Sequence, residues 1–140
     1  MKIEYKENKI IIYLYRYKLD INNVEKLNKE IKNIFIKLIK VYKMDFFGYS
    51  KVHVYENKKY GSILEIEKIY NNEFNLDIID LKLIIHENTK FYLEMDDYVL
   101  DKEISNMFFK DNKYYVNIEK IDNITPLIEF GKIIYQNKID

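Results

Sequence analysis

The sequence predicts an α+β fold: an antiparallel, hairpin-rich sheet, one long amphipathic helix packed on one face of it, and a short C-terminal helix. Three observations carry this. Asn22–Met44 is the one long stretch with a helical period. The remainder alternates short apolar or aromatic runs with polar turns. One type of turn recurs at five places, as KENK at 6–9, YENK at 55–58, HENT at 86–89, KDNK at 110–113 and YQNK at 135–138. A lone amphipathic helix needs an apolar surface to lie on, and a sheet from the rest of the chain supplies it. Turns this short join antiparallel neighbours rather than parallel crossovers, which favours a meander.

Lys2–Lys6 and Lys9–Tyr17 read as the arms of a first hairpin around Glu7-Asn8, because Asn tolerates the positive φ of tight turns. On the second arm Ile10, Ile12 and Leu14 share one face, while Ile11, Tyr13, Tyr15 and Tyr17 share the other. Both faces are apolar or aromatic, as in a central strand. In the helix, Val24, Leu27, Ile31, Ile34, Leu38 and Val41 recur at alternating steps of three and four, and Phe35, Ile39 and Tyr42 widen the stripe. Asp20, Asn22 and Asn23 are all candidate N-caps. The helix should stop near Met44–Asp45, before Gly48.

Phe46–Tyr55 and Tyr60–Ile69 read as a second hairpin. Tyr70–Asp77 is a polar loop. Ile78–Ile85 and Lys90–Met95 read as a third hairpin, and Asp96–Ser105 is acidic and irregular. Met107–Phe109 and Lys113–Glu119 read as a fourth hairpin around Asp111-Asn112. Thr125-Pro126 is a good helix start and Gly131 a good stop, giving a short helix Pro126–Phe130 before a last strand, Lys132–Tyr135. The sequence IEKI occurs twice, at 66–69 and 118–121, which fits either a duplicated hairpin unit or chance in a biased composition.

At 140 residues, with no Pro/Gly/Ser linker, the chain reads as a single domain, 1–140, large enough to bury a core without staples. There are no cysteines, which excludes disulfides, thiolate metal sites and a cysteine nucleophile. The 23 basic and 23 acidic side chains cancel, so the bulk attraction to phosphate typical of nucleic-acid binders is missing. Arg16 is the one arginine, which also counts against bidentate base readout. The polar start MKIEYKENK is unlike a secretory signal, and no apolar run approaches ~20 residues. A cytoplasmic protein without a membrane span is the expectation. The abundance of Ile, Lys, Asn and Tyr, with no Ala or Trp, is what A+T-rich codons produce.

Chemistry-bearing motifs are scarce. His53 and His86 are the two histidines, and with Glu65 and Asp80 they have the right donor types for a metal or acid–base site. Their spacing matches no such motif, so they read as surface histidines, with no metal and no cofactor expected. Glu94, Asp96, Asp97, Asp101 and Glu103 lack the glycine of a calcium loop and read as a solvated acidic segment or a contact for a basic partner. No serine sits in a nucleophile elbow, and Gly48, Gly61 and Gly131 are isolated turn glycines rather than a phosphate loop. The sequence therefore points away from an enzyme.

Aromatic residues are in excess, with 14 Tyr and 8 Phe. Tyr13, Tyr15, Tyr17, Tyr49 and Tyr55 would share strand faces, either filling a core or forming a platform. Phe46, Phe47 and Tyr49 flank Gly48 where helix hands over to strand, a core corner or an interaction surface. Tyrosine is favoured at protein interfaces because it offers large area at small entropy cost.

The chain ends resemble those of the MecA-type adaptor proteins. Met1, Ile3, Glu4, Glu7 and Asn8, then an apolar strand and Asp20-Ile21, look like that family's start. Tyr114-Tyr115-Val116, then Thr125, Leu127, Glu129, Phe130, Gly131, Lys132, Ile134 and Asn137, resemble its C-terminal pattern. The resemblance covers about a quarter of the chain and implies an adaptor that presents substrates to an AAA+ unfoldase. The functional expectation is a non-enzymatic protein-binding module, an adaptor, regulator or immunity-type inhibitor, acting through an aromatic sheet face or edge. The alternative is a single-stranded nucleic-acid or ribosome-associated binder using the same aromatics and nearby lysines.

Overall fold

The computed structural model describes residues 1–69, 78–95, 107–125 and 132–135. The expected loop 70–77, the acidic segment 96–105 and the expected helix Pro126–Phe130 lie outside them. The fold is α+β, with two sheets and one main helix. The chain forms two compact units, Met1–Glu56 with Gly61–Glu87, and Asn57–Tyr60 with Asn88–Asp140.

The first unit holds β1 (Lys2–Lys6), β2 (Lys9–Tyr15), α1 (Val24–Tyr42), β3 (Gly48–Asn57), β4 (Gly61–Ile69) and β5 (Ile79–His86). The sheet order is β1-β2-β4-β3-β5. β1 and β2 close around a turn in which Glu7, rather than the neighbouring Asn, takes the positive φ of 50°. β2 and β4 are antiparallel, with Ile12 opposite Leu64.

β3 and β5 are parallel, running from Gly48 opposite Ile79 to Tyr55 opposite His86. This one pairing departs from the expected antiparallel meander, and Ile78–Ile85 lies beside β3 instead of forming the expected hairpin with Lys90–Met95. The turn-length argument applies only to strands consecutive in sequence. Here β4 reverses beside β3 and ends near β3's start, and nine residues separate it from β5. β4 and β5 flank β3, about 10 Å apart at two strand spacings, and β5 runs in the direction of β3.

Of the three candidate caps, Asn23 is the one used: its side chain accepts from the Lys26 N–H at 3.1 Å. Asp20 instead accepts from the Asn22 N–H and sets the turn before the helix. Lys43, in the left-handed region at φ 54°, donates its N–H to the Ile39 carbonyl and ends α1 before Met44. Leu27, Ile31, Phe35 and Leu38 are the buried face of the helix. They meet Ile12, Leu14, Val52, Val54, Leu64, Ile66 and Leu81 from the sheet, joined by Phe46. Val24 and Val41, expected on the stripe, lie in the first and last turns of α1 and are exposed.

The second unit holds β6 (Tyr92–Met95), β7 (Met107–Lys110), β8 (Lys113–Asn117) and β9 (Lys132–Ile134), in the order β7-β8-β6-β9. Every pairing in this sheet is antiparallel. Asp111 and Asn112 both have positive φ, 53° and 64°, in the tight turn between β7 and β8. Phe91, Leu93, Val116, Ile118 and Ile133 are buried, and Phe91 meets Tyr60 and Tyr135 edge-on. The two IEKI copies differ in structure: residues 66–69 are strand in β4, whereas Ile118–Lys120 is a 3₁₀ turn.

Candidate functional site

The helix-to-strand corner directs its two phenylalanines oppositely. Phe46 turns inward and stacks on Phe35, with centroids 4.3 Å apart. Phe47 is half-buried. Its N–H donates to the Asp45 carboxylate at 3.2 Å, which fixes the turn, and the Lys68 ammonium holds the same carboxylate at 2.8 Å. That hydrogen bond from Lys68 keeps the Asp45 carboxyl below its ordinary pKa, against the opposing effect of burial. Gly48 follows at φ 97°, a conformation side chains rarely adopt, and lets the chain enter β3.

Phe47 thereby lines an open groove of about 420 Å³ with Lys32, Ile36, Ile39 and Lys40 of α1 and Ile79 of β5. Four of the six lining side chains are apolar, and the two lysines are its charged members, Lys32 half-buried and Lys40 exposed. Beside it runs the outer edge of the sheet. The Gly48 N–H donates to the Ile78 carbonyl, and in a parallel ladder alternate residues bond to the same neighbour. Asp80, Lys82, Ile84 and His86 therefore point their backbone groups at β3. The N–H and C=O groups of Ile79, Leu81, Leu83 and Ile85 point outward, and β5 has no further strand beside it among the described residues. The side chains of those same four residues lie on the α1 side of the sheet.

The sheet face away from α1 carries Tyr13, Tyr15, Tyr49 and Tyr55, but it is not a bare platform. Ile11, Tyr13, Ile63 and Glu65 on it are buried. Tyr15, Tyr49 and Tyr55 are half-buried, and Tyr17, beyond the end of β2, is exposed. Tyr13 donates to Glu4 at 3.2 Å. Parallel pairing brings the two histidines together: His53 Nδ1 lies 2.9 Å from His86 Nε2, and the Tyr55 ring stacks on His86 at 4.4 Å. Surface histidines were expected; these are half-buried and bonded to each other. Burial, followed by the charge of His86, pushes the His53 pKa down, while Glu65 acts against this. Glu65 forms an ion pair with Lys9 at 3.0 Å, and that hydrogen bond raises the Lys9 pKa.

Asp80 is exposed on β5 and does not complete a site with the histidines. Among the described residues no group of three or more His, Asp or Glu side chains is placed to hold a metal ion. Of the acidic cluster, the one member whose side chain is described, Glu94, pairs with Lys113 at 2.6 Å. No helix among the described residues is long and apolar enough to cross a membrane.

Of the seven aromatics expected to bind, Phe47 alone lines the groove; Tyr13 and Phe46 are core side chains. The sequence reading missed Lys32, Ile36, Lys40 and Ile79. A signal was present in Ile36, the one apolar residue of the helix that belongs to neither the predicted stripe nor its widening. Compared with protein-family models, curated proteins and solved structures, the chain matches none.

Proposed function

We propose that this chain is a non-enzymatic protein-binding module whose first unit captures an extended segment of another protein along β5. The observation that carries this reading is the difference between the two edges of the same sheet. At one edge, β1 is short and presents Lys2, Glu4 and Lys6, the charged side chains that discourage strand pairing. At the other, β5 is eight residues long and rich in Ile and Leu, with outward N–H and C=O groups beside an apolar groove. Unpaired backbone on a long apolar edge is a template for a further strand, and the groove between edge and helix takes its alternate side chains. The likeness of the chain ends to MecA-type adaptors points to the same class.

The test is affinity capture from native cell extract, with and without nuclease, using the wild type, Leu83→Pro and Leu83→Ala. Proline at 83 removes an outward N–H without touching the β3 ladder, and the alanine variant matches its loss of packing. A stoichiometric protein that survives nuclease and is retained by Leu83→Ala but lost by Leu83→Pro supports strand addition. Recovery of RNA or ribosomal proteins that vanishes with nuclease favours the single-stranded nucleic-acid reading instead.

A further inference from the structure

We infer that the groove beside β5 recognises an apolar side chain placed between two acidic ones, in an extended segment of the pattern Asp/Glu-x-apolar-x-Asp/Glu. The inference rests on the strand-addition reading and adds to it the chemistry of the partner. Lys32, Ile36 and Lys40 are four residues apart in turn, so they form one line along α1. At 1.5 Å of rise per residue the two lysines stand about 12 Å apart along the helix axis, with Ile36 midway. In a strand, residues i and i+4 face the same side about 13 Å apart, with residue i+2 between them. The two spacings match. An apolar side chain at i+2 meets Ile36, Ile39, Phe47 and Ile79, while acidic side chains at i and i+4 reach the lysines at either end.

Two features select this occupant. Charges at both ends of the groove suit a segment with two separated acids, whereas an amphiphile with a single headgroup would use one. Neither Lys32 nor Lys40 has a carboxylate at ion-pair distance among the described residues, unlike Lys6, Lys9, Lys26, Lys68 and Lys113. Both ammonium groups therefore remain available to a ligand. The outward N–H and C=O groups of Leu81 and Leu83 alternate at strand spacing, which the main chain of an extended segment would match.

The probe is a displayed library of random dodecapeptides selected on the full chain, followed by fluorescence anisotropy with the selected peptide. Enrichment of an apolar residue flanked at plus and minus two by Asp or Glu is expected. Reversing both charges, Lys32→Glu with Lys40→Glu, should weaken that peptide on the order of tenfold, since exposed pairs are individually weak. A peptide with lysine in place of both acids should then bind the doubly reversed variant better than the wild type. Circular dichroism confirms that the variant is folded. Selection of apolar peptides without acids, sensitive to Leu83→Pro, would overturn this inference and leave strand addition standing. Acidic peptides that bind Leu83→Pro as well as Leu83→Ala would overturn strand addition itself. No enrichment, or equal binding to the charge-reversed variant, would also sink the acidic pattern.

Discussion

His53 Nδ1 and His86 Nε2 meet at 2.9 Å on the two parallel strands β3 and β5. Their ring planes incline by 18° and their centroids lie 5.2 Å apart. The centroids are thus farther apart than the nitrogens by about two ring radii, so the nitrogens meet edge to edge in the ring planes. One proton serves this contact, carried by either nitrogen. Protonation of both rings would place N–H against N–H and two cations side by side. The pair ties β5, the strand proposed to receive a partner, to the interior of its sheet.

Stability should therefore depend on pH near the histidine range. The His53 pKa in the folded protein lies below its ordinary 6.5, so the unfolded chain binds more protons in the window between the two values. Stability from this source is fully present above about 6.5 and is lost as pH falls toward the folded value. The charged groups acting on His53 are His86 on β5, Glu65 on β4, Lys51 on β3 and Lys9 on β2; of these Glu65 alone opposes the shift. Urea midpoints between pH 7.5 and 5 should fall more steeply for the wild type than for His53→Gln. Parallel slopes would show that the pair carries no linkage.

Phe46 and Phe47 should separate stability from binding. Phe46 is 1% exposed and stacked on Phe35, so Phe46→Ala should cost about 3–5 kcal/mol in urea unfolding. Leu38→Asp, on the same buried face of α1, should prevent folding, because an unpaired charge there has no water. Phe47→Ala loses only part of a half-buried ring in an open groove and should cost about 1 kcal/mol or less. The same variant should lose most of the affinity for the selected peptide. A Phe47→Ala protein that binds undiminished would remove the groove from the recognition surface.

The fold class was legible because the period of α1 and the polar turns are local signals, and β1, β2 and α1 fall within two residues of their expected limits. The β3–β5 pairing was not, because two strands separated by a third leave no mark in the turn between them. That single non-local fact hid the His53–His86 contact, since the residues are 33 apart in sequence. It also hid the groove, which needs Ile79 beside Phe47. The aromatic surplus misled in part: Tyr13 looks the same in sequence whether its strand face is bare or, as found, buried.

The Lys9–Glu65 ion pair should respond unequally to loss of either partner. The Glu65 side chain is 5% exposed and that of Lys9 is 42% exposed. Without the glutamate, the lysine can turn to water. Without the lysine, a carboxylate stays buried and loses the ammonium facing it. Lys9→Met should therefore destabilise by about 1–3 kcal/mol, and Glu65→Gln, which keeps the shape and polarity of the buried group, by about 1 kcal/mol or less. Thermal melts of the two variants at pH 7.5 decide this; the reverse order would show that the pair contributes through Lys9's packing on the sheet.

Gly61 and Gly48 both have positive φ, 124° and 97°, yet they should tolerate alanine very differently. At Gly48 a Cβ would meet nothing within 4 Å, so Gly48→Ala costs only backbone strain, on the order of 1–2 kcal/mol. At Gly61 the same atom would lie 2.5 Å from the Leu14 carbonyl oxygen and 2.9 Å from the Arg16 nitrogen. Both are backbone atoms, so relief requires moving β4 away from the end of β2, where Tyr15 pairs with Gly61. Moving that pair apart would strain the β2–β4 ladder that holds Ile12 and Leu64 in the core. Gly61→Ala should thus lose several kcal/mol, more than Gly48→Ala by a clear margin, and should raise amide exchange along β2 and β4 before β5. Equal melting temperatures for the two variants would show that β2 and β4 do not approach each other at Gly61 as closely as described.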